Sequence, residues 1–260
     1  MSSKKETPIK TIGFVFVVCL VCALLVSFSA VQLKPLQTAN KLLDKQTKIL
    51  EAANLLELAG SDIVATYNKF VEAKMIDLDS GEYIEGNPDL FDERRNSRDA
   101  NKSDKPENDL AGINRRSHDA VVYLVRNAGG EVETVVLPIV GSGLWDLMYG
   151  YVGLEADLNT VKNVIYSDHK ETPGLGAEVL NPNWKALWPG KKIYNEAGEV
   201  KANLVKGGAK AGDIHGVDAL SGATLTSKGV THTLQFWFGE EGYAPFIAKY
   251  RSSLVKGGLK

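Results

Sequence analysis

The chain opens on a sharp change of pattern. Met1 to Lys10 is polar, with Lys4, Lys5 and Lys10, and Ile12 to Val31 then runs 20 residues without a charge. As a helix rising 1.5 Å per residue, that run reaches across the roughly 30 Å hydrocarbon core of a bilayer. The apolar core of a secretory signal is shorter, about 7–15 residues. With only a fair cleavage site at Ser27-Phe28-Ser29, the pattern predicts an uncleaved anchor over 11–33. Beyond Pro35, Leu36, Ala39, Leu43 and Leu50 share a helical face interleaved with Lys41, Asp44, Lys45 and Lys48. That periodicity predicts a helix leading from the membrane surface into a domain spanning 34–260. Another helix is predicted over about Ser61 to Ala73, with Asp62 in its first turn.

Gly81 to Ser117 is rich in Asp, Glu, Arg, Asn and Lys, which predicts a solvated, mobile surface insertion. Alternation then takes over. Ala120 to Val125 and Glu131 to Val140 read as strands joined at Asn127-Ala128-Gly129-Gly130, and Met148 to Ala156 and Asn163 to Asp168 as two more. Ala177 to Leu187 reads as helical but limited by Pro182, and Lys192 to Tyr194 with Val200 to Val205 as a hairpin around Asn195-Glu196-Ala197-Gly198. Val230 to Phe238 and Tyr243 to Tyr250 close the chain as helices. Strands in the middle with helices at both ends predict one antiparallel-rich α+β domain behind a transmembrane helix.

Composition narrows the chemistry. A net charge of −2 over 260 residues argues against nucleic acid as a partner. Both cysteines, Cys19 and Cys22, lie inside the apolar run, where they serve as small apolar residues. The soluble part therefore has no disulfide framework and no thiolate cluster, so any redox chemistry there comes from a bound organic cofactor. The lysines before the span predict a cytoplasmic N-terminus and an external domain, although Lys34, Lys45 and Lys48 beyond it weaken the bias.

Three stretches could carry chemistry. Asp218-Ala219-Leu220-Ser221-Gly222-Ala223-Thr224-Leu225-Thr226-Ser227 leads from a turn into the Val230 helix. Thr226 and Ser227 stand where hydroxyls cap a helix start, and the positive end of the helix suits a phosphate; an ordinary capped N-terminus has the same pattern. Glu171-Thr172-Pro173-Gly174-Leu175-Gly176 is a constrained loop whose backbone can approach a planar ring. Glu171 could act as a general acid or base, and His169 could ligate a metal, but a lone histidine is weak evidence for one. In Gly141-Ser142-Gly143-Leu144-Trp145 no complete dinucleotide fingerprint and no βαβ unit can be drawn. Leu144 and Trp145 suit an apolar wall for a ring, and Trp145 equally suits the core at a hairpin end. A hydrolase using Ser221 or Ser142 lacks a placed His–Asp set.

Asp218…Ser221-Gly222-Ala223-Thr224 resembles the flavinylation motif of proteins that carry FMN through a phosphoester to threonine. His169-Lys170-Glu171-Thr172-Pro173-Gly174-Leu175-Gly176 resembles a second motif of one such family, the C subunit of the sodium-translocating NADH:quinone reductase. With the N-terminal span, the resemblance covers most of the chain. It implies FMN on Thr224, left there by a separate flavin transferase that uses FAD as donor. Asp218 matches the motif's acidic position, and its alternative role is to close a turn through its carboxylate. Ser221, Gly222 and Ala223 give access, while Ser221 and Thr226 would cap the helix or bind the phosphate. Glu171, Thr172, Leu175 and Gly176 would lie against the isoalloxazine, with Leu144 and Trp145 bordering it. The implied protein is an electron-transfer subunit in the lipid of the bacterial inner membrane, its domain periplasmic. It would work among the other subunits of a complex that oxidises NADH with quinone and exports sodium. Two rivals are the homologous subunit of an ion-translocating ferredoxin:NAD oxidoreductase and an anchored binding protein without cofactor.

Overall fold

The structure is a computed structural model that describes residues 7–255, so Lys4 and Lys5, which bear on orientation, lie outside the described residues. The chain divides into two units, 1–44 and 45–260. Helix α1 (Pro8–Ala52) runs through both and includes Pro35, so the helix expected to start beyond Pro35 is the continuation of the first. Proline costs one backbone bond, but Gln32, Leu33 and Lys34 before it and Leu36, Gln37 and Ala39 after it include good helix formers that carry the register through. Its N-terminal part is long and apolar enough to cross a membrane.

In the second unit, α2 (Leu56–Ala59) and α3 (Ile63–Phe70) follow, α3 capped by Asp62, whose carboxylate accepts the Ala65 N–H at 3.0 Å. The helix expected to reach Ala73 stops at Phe70 and becomes strand β1 (Val71–Asp77). After β2 (Tyr83–Ile84) come α4 (Glu93–Asn96), β3 (Ser103–Asp104) and β4 (Arg116–Ser117). Then β5 (Asp119–Arg126), β6 (Val132–Ser142), β7 (Leu147–Glu155) and β8 (Val161–Asp168) form a meander. A 3₁₀ turn (Gly176–Leu180) and α5 (Pro182–Lys185) replace the single helix expected there, broken as Pro182 demands. Strands β9 (Asn203–Val205) and β10 (Gly216–Asp218) precede helices α6 (Thr224–Trp237) and α7 (Ala244–Val255).

The main sheet has six strands in the order β2-β1-β5-β6-β7-β8, every neighbour antiparallel. Both of its faces are covered. Val122, Leu124, Val135, Leu137 and Val152 pack with Val230, Leu234 and Phe236 of α6. On the other face, Val121, Tyr123, Val125, Val136 and Ile165 pack with Ile49 and Ala52 from the end of α1 and with Ala53 just after it. Double burial is why these strands read as nearly continuous apolar runs.

Two further expectations give way. The hairpin expected at 192–205 shrinks to a single bridge, Tyr194 to Val200, because β9 pairs instead with β10 in parallel. The 81–117 insertion is folded against the domain. Glu241 accepts the N–H groups of Glu107 and Asn108 at 2.9 Å, the Arg94 guanidinium meets Asp168 at 2.6 Å, and Ala111, Ile113, Arg116 and Ser117 are buried. It is held by polar bonds, to backbone groups and between side chains, together with a few buried apolar residues, and a composition argument about apolar burial misses the polar part.

Candidate functional site

The three stretches converge at the start of α6. Strand β10 delivers Asp218, whose carboxylate accepts the Ala209 N–H at 2.7 Å and whose carbonyl accepts the Trp184 indole N–H at 2.9 Å. Asp218 thus closes the Gly207–Ala209 turn. Next comes the turn Leu220-Ser221-Gly222-Ala223, in which the Ala223 N–H donates to the Leu220 carbonyl at 3.2 Å. Gly222 has φ +72°, the left-handed backbone that the third position of a type II turn needs. A side chain there would also strike Leu175.

Helix α6 begins at Thr224, earlier than expected, and its N-cap residue, Ala223, offers no side-chain cap. The hydroxyls expected to cap it are engaged elsewhere. Thr226 and Ser227 lie on the buried face with Val230, Leu234 and Trp237. The Ser227 hydroxyl accepts the Leu220 N–H and donates to the Ala223 carbonyl, and the Thr226 hydroxyl donates to the Glu171 carboxylate. The capping role assigned to Thr226 and Ser221 is therefore corrected: helix phase turns Thr226 inward, and Ser221 lies in the turn, two residues before the N-cap Ala223. Of the four hydroxyls, Ser221 and Thr224 are exposed, and neither is bonded to another described residue.

The second stretch forms another turn with glycine third, Thr172-Pro173-Gly174-Leu175, where the Leu175 N–H donates to the Thr172 carbonyl at 3.1 Å and Gly174 has φ +74°. Leu175 is thereby presented, 42% exposed, beside Gly222. Glu171 is buried. Its carboxylate accepts the N–H groups of Leu144 at 2.8 Å and Trp145 at 3.1 Å as well as the Thr226 hydroxyl. Gly143 and Gly176 leave the room it fills, since a Cβ on either would overlap its oxygens. His169 accepts the Glu171 N–H through Nδ1 at 3.1 Å, and the described residues include no group of three or more metal-binding side chains.

The third stretch is the β6–β7 corner. Trp145 is 67% exposed, which removes it from the core, and its indole N–H donates to the Thr172 hydroxyl at 3.1 Å. Leu144, Trp145 and Leu175 are thus exposed apolar side chains on loops tied to one carboxylate. Thr224 lines a cleft of about 640 Å³ with Ser221, Gly222, Lys206 and Lys228. Both lysines were missed in the sequence; Lys228 was findable, because a residue four after Thr224 shares its helix face. An uncapped helix start with two cations suits a phosphate, and a flexed glycine turn beside exposed apolar groups suits a planar ring. The residues present fit FMN.

Residues 143–239, from the β6–β7 corner through α6, match the family model of the FMN-binding domain, which defines the class of the fold and its site. The C subunit of the Na(+)-translocating NADH-quinone reductase of Vibrio alginolyticus is 47% identical over 253 residues, 96% of this chain and 98% of its own. The Yersinia pestis C subunit is 44% identical over 253 residues, 96% and 95% of the two chains. The crystal structure of Shewanella oneidensis NqrC aligns with a TM-score of 0.77 at 41% identity, covering 80% of this chain and 96% of that one. The chain belongs to the family of the C subunit of the Na(+)-translocating NADH-quinone reductase.

Proposed function

We propose that this chain is the electron-transfer flavoprotein subunit of that reductase and carries FMN esterified through its phosphate to Thr224. The observation that carries the reading is the state of the hydroxyls at the head of α6. Thr224 is exposed at an uncapped helix start, whereas Thr226 and Ser227 are buried and bonded. Only an exposed hydroxyl can enter the active site of a flavin transferase, and a small, bent approach through Ser221-Gly222-Ala223 leaves room for that enzyme.

When bound, FMN supplies reversible uptake and release of electrons. The chain's residues bind and orient it. The open N–H groups of α6 and the charges of Lys206 and Lys228 receive the phosphate. Leu175 borders the ring on one side of the Gly222 turn, and Leu144 and Trp145 offer a further apolar edge. Thr172, Gly176 and Asp218 shape the loops around it. A covalent link lets the site stay shallow, so that redox partners in the other subunits approach closely. NADH is oxidised elsewhere in the complex, since no dinucleotide fingerprint is present here. Residues 11–33 anchor the chain once in the inner membrane, with 1–10 cytoplasmic and 34–260 periplasmic, and the span carries no charged residue.

Intact mass and peptide mapping of the full chain co-expressed with a flavin transferase test this. A gain of FMN less one water on the peptide bearing Thr224 supports it. An unmodified mass under those conditions would sink it and promote an anchored binding protein.

A further inference from the structure

Glu171 does not behave as a residue laid against a ring. It is 5% exposed, and its carboxylate is committed to the Leu144 N–H, the Trp145 N–H and the Thr226 hydroxyl. Three donors and no acceptor face it, as a carboxylate requires. Among the described residues no lysine or arginine pairs with it, so dipoles alone compensate a buried negative charge. Burying a charge is costly even when it is hydrogen-bonded, and a glutamine could satisfy the same groups.

We infer that Glu171 is the positioning residue of this site: it fixes the Leu144–Trp145 corner to the head of α6 and places a carboxylate behind that corner. The inference rests on the reading of Thr224 as the flavin attachment point. Its geometric part follows from connectivity, because the one carboxylate joins the β6–β7 corner, the 169–176 loop and α6. Gly143 and Gly176, one on either side, are sterically required by it. Its electrostatic part follows from Coulomb's law at low dielectric: a fixed anion disfavours added electron density nearby and so holds the midpoint potential of a neighbouring flavin down.

Two variants separate the parts. In Glu171→Gln the amide oxygen still accepts both backbone N–H groups and the amide nitrogen donates to Thr226, so geometry stays and charge goes. In Glu171→Ala both go. The Trp145 signal is isolated by subtracting matched Trp145→Phe proteins, since Trp184, Trp188 and Trp237 are buried. In full-length protein made without flavin transferase, Glu171→Ala is expected to lose Trp145 fluorescence anisotropy, and Glu171→Gln to keep it. In flavinylated protein, Glu171→Gln is expected to shift the flavin midpoint to more positive potential, which a purely structural role would not do. Unchanged anisotropy in Glu171→Ala would overturn the positioning, and an unchanged midpoint in Glu171→Gln would overturn the charge. Should Glu171→Ala fail to fold by circular dichroism, the Glu171→Gln midpoint decides. If wild-type protein takes up no flavin, the Thr224 reading fails, while the anisotropy arm still judges the positioning.

Discussion

The Ser227 hydroxyl accepts the Leu220 N–H at 3.0 Å and donates to the Ala223 carbonyl at 2.9 Å, and this pair of bonds sets the turn that leaves Thr224 outside. Ser227→Ala strands a buried N–H, a loss of about 1–3 kcal/mol. Urea unfolding should show that loss, and the yield of protein with flavin on Thr224 should fall with it. Wild-type stability in this variant would mean that water replaces the hydroxyl.

Thr224→Ala behaves differently. The side chain is exposed and bonded to no other described residue, so stability should stay within about 0.5 kcal/mol while the covalent adduct disappears from the mass spectrum. Any residual adduct should map to Ser221, the other exposed hydroxyl. Flavin on Thr226 would contradict the inward orientation of that side chain.

Gly229 faces the end of β6 so closely that a Cβ would overlap the Ser142 carbonyl and lie 3.7 Å from Gly143 Cα. In an open helix, glycine to alanine gains roughly 0.5–1 kcal/mol. Here Gly229→Ala should instead destabilise by about 1–3 kcal/mol as α6 is pushed off the sheet. A rise in melting temperature would show that α6 sits farther from β6.

Glu51 reports on pH. Burial pushes its carboxyl up, but hydrogen bonds and charges from Lys185, at 2.5 Å, and Lys48, at 3.0 Å, outweigh burial and hold it below its ordinary value of 4.5. A carboxyl lowered in the folded state stabilises above its unfolded pKa, and that contribution fades as pH falls through the folded value. Glu51→Gln should therefore lower stability at neutral pH and flatten the acid limb of a stability–pH curve. Parallel curves for the two proteins would mean the pairs contribute nothing.

Much of the meander was legible because both sheet faces are buried. Val121 to Val125 could only be a strand, and Asn127 to Gly130 marked its turn. Strand β1 was not legible, because it follows α3 without a glycine or proline between them. Its Val71, Ala73 and Met75 alternate with Glu72 and Lys74, a two-residue period hidden at the tail of a helical one. At the site, the motif placed the right corner but could not rank its hydroxyls. The phase of α6 could have done so, since Thr226 and Ser227 stand four and three residues before Val230 and share its buried face. The part played by Glu171 lay beyond any local pattern, because its partners are 26 to 55 residues away in the chain.

The last turn of α1 supplies Ile49 and Ala52 to the sheet, and Ala53 follows directly after it, so the helix that begins as an apolar span ends as part of the domain's own core. That decides where a water-soluble fragment can be cut. A fragment beginning at Lys45 keeps this cover. One beginning at Leu55 bares Val121, Tyr123, Val136 and Ile165 to solvent, a greasy face that invites self-association.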